Sequence, residues 1–558
     1  MFSVKKNVLQ TVAILKAYGI RHVVMSPGSR NAPLMQTFSQ DSSFDCHVIV
    51  DERNAAFYAL GIIQCTRKPV VICCTSGTAL LNYAPAIAEA YYQQLPLIVV
   101  SADRSQEWIG QMDGQTLPQA GVFGSLVKKS VNLPEIETER DTWFCNRLIN
   151  EALIDCMTDA QGPVHINVPI SEPLFDYSVE KLPEVRKINL ASIEKSVDTT
   201  PFSDKWNHLP KRMIIVGQLP KSPGLVKVLE KLVRWNDCVV LVEHPSNCVS
   251  PLFISNFDAL LYAIPDEKKT DFVPDLVVTI GGHIVSKRLK QFLRGNKSVS
   301  HWHITPSGEV VDLFQSLTDL IETDNEKFLN TLYNTISADE QKPYSGLWEE
   351  ASEKITVPSS ETPFSDIRAM GDFLKCLPDN SVLHLANSST VRNAQLYTLD
   401  KSVDVFCNRG TNGIESSLPS AIGFASVYEG ITYLVIGDLS FFYGLNSLWN
   451  ISHIKNLRVL LVNNGGGGIF HLLPGLNKAP SLKQYVAATH NTGAEEWVRA
   501  SGMKYLSATN GEELSKAFET FMNETIQESM VLEVITDMEV SKAAFKDYYH
   551  KLISKLAN

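Results

Sequence analysis

An aspartate and an asparagine lie 26 positions apart in the stretch of this 558-residue chain that carries the most chemistry. Residues 435–470 read VIGDLSFFYGLNSLWNISHIKNLRVLLVNNGGGGIF. The carboxylate of Asp438 follows one apolar run and the amide of Asn464 follows the next, so both are hard oxygen donors at the ends of expected strands. Such a sparse pair suits Mg2+, with Mn2+ as an alternative, because Mg2+ keeps few protein ligands and shares the rest with phosphate oxygens. The run Gly465-Gly466-Gly467-Gly468 lets backbone approach a ligand closely, and the Gly466 carbonyl is the expected third metal ligand. Taken singly, a strand-end aspartate that caps a helix and an Asn-Gly turn are ordinary. Their spacing joins them: two parallel strands need a right-handed crossover of a dozen residues or more, and that crossover sets both C-terminal ends side by side.

Other polar residues recur at the ends of apolar runs. HVVMSPGSRNAPL places Ser29 and Arg30 after a strand and a Pro-Gly turn, either as a ligand site or as a turn with one solvated arginine. In FDCHVIVDERNAAFYALG, Asp51 is positioned to cap a helix and Glu52 lies in its first turn, an arrangement that on its own only complements the helix dipole. The strand in PLIVVSADR ends at Arg104, and Gln115 follows in MDGQTLPQ. SVLHLANSSTVRNAQLY carries Asn387, Ser388 and Arg392 at a strand end. DVFCNRGTNGIESSLPSAIGFA carries Arg409, Gly410, Gly413 and Ile414 ahead of a small-residue helix. Ile414, branched and apolar beside Gly413, is a poor turn former, so a steric role is expected. Lys287 and Arg288 open the helix after Gly281-Gly282, either as a solvated face with Lys290 and Arg294 or as an anion site, since cations are disfavoured at that end of a helix.

The GD-x-S and NN-x-G pair resembles the diphosphate and metal motif of the thiamine diphosphate enzymes, with Leu439 where the motif usually has glycine. That departure narrows the resemblance to the branch of menaquinone biosynthesis that joins 2-oxoglutarate to isochorismate. The resemblance implies thiamine diphosphate and Mg2+ as cofactors. It gives Glu52 the role of bonding the pyrimidine nitrogen and so promoting loss of the thiazolium proton. It implies cofactor contacts for Ser388, Gly410, Leu439 and Ser440, a wedge at Ile414, and an apolar wall from Ile469 and Phe470. Substrate contacts are implied for Ser29, Arg30, Arg104, Gln115, Lys287, Arg288, Arg392 and Arg409. Both substrates are polyanionic, and the planar arginine fork suits carboxylates better than an ammonium does. The family also implies a homodimer or homotetramer with active sites between subunits. The alternative function is another 2-oxo acid decarboxylase or an acetolactate-type carboligase. A non-catalytic relative would lack Glu52, Asp438 or Asn464, and all three are present.

These residues need α/β scaffolding. Strand and helix patterns alternate throughout, which predicts three doubly wound parallel-sheet domains, 1–180, a central 190–345 and 360–558; the resemblance implies the thiamine diphosphate enzyme type, with the first domain for the pyrimidine and the third for the diphosphate and metal. Residues 178–210 and 341–366 are polar and rich in proline, which reads as linkers. A single crossover helix is expected over 441–454. Nothing in the central domain asks for FAD, and GQLPKSPG is not a dinucleotide-binding glycine pattern.

A net charge of −11 argues against nonspecific nucleic-acid binding. Ten cysteines without paired spacing point to a reduced, cytoplasmic setting, and no run is apolar enough to span a membrane. The amino-terminal stretch reads as an amphipathic helix, not a secretion signal. The 13 histidines show no metal pattern and are expected to be structural. Little chemistry is expected after Pro474.

Overall fold

The apolar runs become strands of three sheets in a computed structural model that describes residues 1–158, 160–191, 197–296, 299–451 and 453–557. The first sheet comprises β1 (His22–Met25), β2 (Asp45–Val48), β3 (Val70–Cys74), β4 (Leu97–Asp103), β5 (Lys129–Asn132) and β6 (Val164–Pro169), in the order β2-β1-β3-β4-β6-β5. The second comprises β7 (Arg212–Val216), β8 (Cys238–Val242), β9 (Leu276–Ile280), β10 (Ser300–Thr305) and β11 (Leu317–Glu322), in the order β11-β10-β9-β7-β8. The third comprises β12 (Val382–Leu385), β13 (Asp404–Phe406), β14 (Thr432–Gly437), β15 (Leu457–Asn463), β16 (Lys504–Ala508) and β17 (Met530–Ile535), in the order β13-β12-β14-β15-β17-β16. Every pairing between these strands is parallel. The first and third sheets repeat one strand order, so each presents its central strand ends in the same way.

Central strands such as β3, β4 and β15 are buried along their whole length. Helices cover both sheet faces, which is why these strands read as continuous apolar runs and not as alternation. The first and third sheets are joined through the helices Glu52–Thr66 and Ser417–Ala425, whose apolar residues belong to one core. They cross at two glycines. A Cβ on Gly61 would lie 1.9 Å from the Ser420 carbonyl oxygen, and one on Gly423 would lie 2.0 Å from that of Tyr58. The small residues after Glu52 therefore pack against a helix of the same chain.

Both expected linkers contain helices. Thr200–His208 buries Trp206 completely, and Pro343–Glu353 buries Trp348 completely. One large apolar side chain anchors each helix, a signal that polar composition hides; residues 192–196 of the first segment lie outside the described residues. The crossover after β14 also differs from the single helix expected. An α-helix at Asp438–Tyr443 ends at Gly444 and a 3-10 turn at Leu445–Asn450 follows. Gly444 is a weak helix former and lets the chain bend where it packs near Leu418.

No described helix is long and apolar enough to cross a membrane. The ten cysteines are free thiols.

Candidate active site

Strands β14 and β15 are parallel neighbours, so the residues that follow them emerge together. Asp438 is the first residue of the helix after β14 and is buried. Its Oδ1 accepts the Leu439 N–H at 2.6 Å and its Oδ2 accepts the Gly466 N–H at 2.8 Å. Burial raises the Asp438 carboxyl above its ordinary range, against the lowering effect of those two N–H donors. Asn464 follows β15 and donates from Nδ2 to Asp366 Oδ2 at 2.8 Å. Its Oδ1 is buried and accepts no hydrogen bond from the described residues. Gly466 sits at φ +145°, a conformation open to glycine, and a Cβ there would come within 2.6 Å of the Ala487 oxygen. A carboxylate, a buried amide oxygen without a donor and a close glycine backbone make a donor set that fits Mg2+.

Ser440 Oγ donates to the Ile414 carbonyl, which fastens the Ile414 loop to the helix that begins at Asp438. Leu439 is half-buried, as are Ile469 and Phe470 in the turn Gly468–Leu472 that follows the glycine run.

Glu52 is the first residue of the helix Glu52–Thr66. Asp51 caps its own helix by accepting the Asn54 N–H at 3.1 Å, and Glu52 Oε2 accepts from Asn82 Nδ2 at 3.3 Å. Arg53 donates to the Tyr443 carbonyl at 3.0 Å and lies 4.6 Å over the Tyr443 ring. Glu52 therefore stands beside the C-terminal end of the helix whose first residue is Asp438. It opens into a groove of about 720 Å³ lined also by Val50, Asn82, Leu445, Trp449 and Trp497. Trp449 is 61% exposed and Trp497 54% exposed, an unusual cost in apolar surface.

The predicted arginines fall into two groups. At the ends of β1 and β4, buried Arg30 donates to the Ile170 carbonyl at 2.8 Å and pairs with Glu172 at 2.9 Å. Burial and the charge of Arg104 both lower the pKa of Arg30. Arg104 pairs with Asp113 at 3.0 Å, Ser29 is exposed nearby in sequence, and Gln115 holds a left-handed φ of 58° against Gly77. In the third sheet, Arg392 donates to the Ser388 carbonyl at 2.5 Å, and Ser388 holds φ at 71°, a strained value for a non-glycine residue. Arg409 is buried, donates to Asn387 Oδ1 at 2.9 Å and leaves its Nε buried without an acceptor among the described residues. Burial, then the charge of Arg409, lowers the pKa of Arg392, so the two guanidiniums lie near one another.

The Lys287-Arg288 pair divides. Arg288 is ion-paired with Asp258 and held between the rings of Tyr262 at 4.8 Å and Tyr549 at 4.5 Å, while Lys287 is exposed. Lys290, read with the solvated face, is instead half-buried; burial lowers its pKa, and Arg409 and Arg392 add to that effect.

Three residues escaped the sequence reading. Glu89 is fully buried and holds the Gly410 and Thr411 N–H groups; its signal was a lone acid inside the apolar helix Ala84–Tyr92. Asp366 holds the Asn464 amide. His490 places Nε2 at 3.4 Å from Asp438 Oδ2 although it lies in the stretch expected to carry little chemistry, and no local pattern marks it.

Comparison with known proteins identifies the family of the chain. Residues 9–122 match the thiamine pyrophosphate enzyme, N-terminal TPP binding domain; residues 186–385 match the middle domain of thiamine pyrophosphate; residues 387–534 match the C-terminal TPP binding domain. The chain is 48% identical over 565 residues to a 2-succinyl-5-enolpyruvyl-6-hydroxy-3-cyclohexene-1-carboxylate synthase of Bacteroides thetaiotaomicron, with 100% of each covered. It is 38% identical over 552 residues to the synthase of the same name from Flavobacterium psychrophilum, covering 97% of this chain and 98% of that one. The crystal structure of benzoylformate decarboxylase from Polynucleobacter necessarius shares the fold, with a TM-score of 0.72 at 18% identity over 96% of this chain and 99% of that one. With three thiamine pyrophosphate domains in order and close relatives of one name along its full length, the chain belongs to the 2-succinyl-5-enolpyruvyl-6-hydroxy-3-cyclohexene-1-carboxylate synthase family of thiamine diphosphate enzymes.

Proposed function

We propose that the chain is a transferase that uses thiamine diphosphate and Mg2+ to decarboxylate 2-oxoglutarate and add the remaining four-carbon unit to isochorismate, giving 2-succinyl-5-enolpyruvyl-6-hydroxy-3-cyclohexene-1-carboxylate. The observation that carries this reading is the free Asn464 Oδ1 beside the buried Asp438 carboxylate, on adjacent strand ends followed by Gly466. These three residues would hold the metal, which would offset the charge of the diphosphate. Thiamine diphosphate, when bound, supplies the carbon nucleophile and the electron sink that decarboxylation and C–C bond formation require.

The chain's own residues supply orientation, charge and proton control. Glu52 holds a proton at the pyrimidine nitrogen. Ile414 would act as a wedge against the bound cofactor, and Ile469 and Phe470 would exclude water from the reacting carbon. Ser388, Gly410, Leu439 and Ser440 line the cofactor. Arg392 and Arg409 bind carboxylates of one substrate; Ser29, Arg30, Arg104 and Gln115 bind the other; of the Lys287-Arg288 pair, Lys287 is free to meet a substrate anion, whereas Arg288 is held by Asp258. A second copy of the chain covers the Glu52 groove with its exposed tryptophans, which makes a homodimer or homotetramer with sites between subunits.

The test follows the absorbance of the isochorismate diene with 2-oxoglutarate, thiamine diphosphate and Mg2+, omitting each in turn. Signal loss that needs every component is expected. Full-rate CO2 release from 2-oxoglutarate without isochorismate would instead identify a decarboxylase.

A further inference from the structure

We infer that Asp366 is the positioning residue that turns the Asn464 amide so that its oxygen, and not its nitrogen, faces the metal site. The inference rests on the metal site proposed above and concerns how the protein builds one of its ligands.

An asparagine amide has two orientations of nearly equal shape, and only one offers oxygen to a cation. Asp366 selects it. The residue begins the helix Asp366–Cys376, where the helix dipole favours a negative group. Its Oδ1 accepts the hydroxyls of Thr536 at 2.6 Å and Ser541 at 2.9 Å, and its backbone N–H donates to Ser541 Oγ at 3.1 Å. Its Oδ2 is left for Asn464 Nδ2 at 2.8 Å. A carboxylate accepts and does not donate, so the amide must present its nitrogen to Asp366 and its oxygen to the opposite side. That oxygen is the buried atom without a partner.

The frame is rigid because it is tied to the same strands as the ligand. Thr536 directly follows β17, which pairs with β15, and the Thr536 N–H donates to the Asn463 carbonyl at 3.0 Å. Asp366 thus ties together segments 98 to 175 positions away from it to fix one amide rotation. Groups that orient metal ligands in this way contribute strongly to affinity even though they do not touch the metal.

The test is Mg2+ binding to the full chain with saturating thiamine diphosphate, read by calorimetry, with Mn2+ and electron paramagnetic resonance as a second probe. Asp366→Asn keeps the shape and one acceptor for the two hydroxyls but turns an NH2 toward Asn464, which drives the Asn464 amide to rotate. Mg2+ affinity is expected to fall by about 10–100-fold, while metal-free protein unfolds near the wild-type temperature. The exchanged pair, Asp366→Asn with Asn464→Asp, puts a carboxylate at position 464. One of its oxygens accepts from the new amide at position 366 and the other faces the metal, so most of the affinity should return. Wild-type affinity in folded Asp366→Asn would overturn the inference. So would an exchanged pair that folds but binds no better than the single variant, and this second protein decides the matter if the single variant does not fold. Wild-type protein that binds no Mg2+ with the cofactor would instead remove the metal reading itself.

Discussion

The Glu89 carboxylate accepts the Gly410 backbone N–H at 2.7 Å across 321 positions of chain. Its other oxygen accepts the N–H and hydroxyl of Thr411 at 2.6 and 2.7 Å. A helix packed on the first sheet thereby holds the third-sheet loop that carries Arg409. Gln218, from the second sheet's side, donates to the Cys407 carbonyl at 2.7 Å, so all three sheets meet at this loop.

Glu89→Ala is expected to lower stability by about 1–3 kcal/mol, because a buried N–H loses its acceptor. It should also raise KM for substrate, since the loop positions Arg409, and weaken thiamine diphosphate binding, since the same clamp holds Gly410. Thermal unfolding and a KM-against-kcat comparison check this. An unchanged KM would mean that the loop keeps its shape without the clamp.

Glu52→Gln is expected to reduce turnover by roughly 10²–10⁴-fold, the range for losing a positioned proton-transfer group. Cofactor binding, measured separately by calorimetry, should change little. Near-normal turnover would remove Glu52 from the chemistry.

Sites between subunits make a distinct prediction. Glu52→Gln and Asp438→Ala chains, each inactive alone, are mixed and reassembled. If each site joins the Glu52 of one chain to the Asp438 of its partner, half of the dimers are mixed and carry one intact site, so about a quarter of wild-type activity returns. No recovery in protein shown to have exchanged subunits would place both residues in one chain's site.

Arg392→Lys and Arg409→Lys keep charge but lose the planar fork, and each should raise substrate KM by roughly 10-fold or more. Steady-state kinetics with each substrate varied separately show which carboxylates each arginine holds. A variant whose KM for both substrates is unchanged is not a ligand.

Burial pushes the imidazoles of His165 and His384 down to about 3, so both are neutral in the folded chain. Unfolded histidine titrates near 6.5, so below that pH the unfolded chain binds protons that the folded chain refuses. Their contribution is therefore fully present above pH 6.5 and is lost as pH falls toward 3, by up to about 1.4 kcal/mol per pH unit for each histidine. His384 stacks on Phe406 at 5.2 Å and meets Phe424 edge-on at 4.9 Å, so His384→Phe keeps an aromatic group there. The variant should lose less unfolding temperature between pH 7 and pH 5 than wild type. An equal loss in both would assign the acid sensitivity elsewhere.

The sequence by itself determined what depends on neighbours along the chain. Hydrophobic runs and turn residues were enough to read the parallel strands, the cap at Asp51, and the emergence of Asp438 and Asn464 from neighbouring strands, because strand period and crossover length are local properties. Composition misread 200–208 and 343–353 as linkers, since a single buried tryptophan outweighed the polar residues around it.

Only the tertiary structure decided which groups satisfy one another. It turned the Asn464 amide through Asp366, gave Gly410 to Glu89, brought His490 to Asp438, and set Gly61 against Gly423 within one chain. It also gave Arg288 to Asp258 and half-buried Lys290 near the charges of Arg409 and Arg392. A hydrogen bond or a close backbone contact is settled within about 3 Å, whereas its partners here lie tens to hundreds of residues apart. No local pattern carries that information, because the partners are chosen by how the sheets and helices pack.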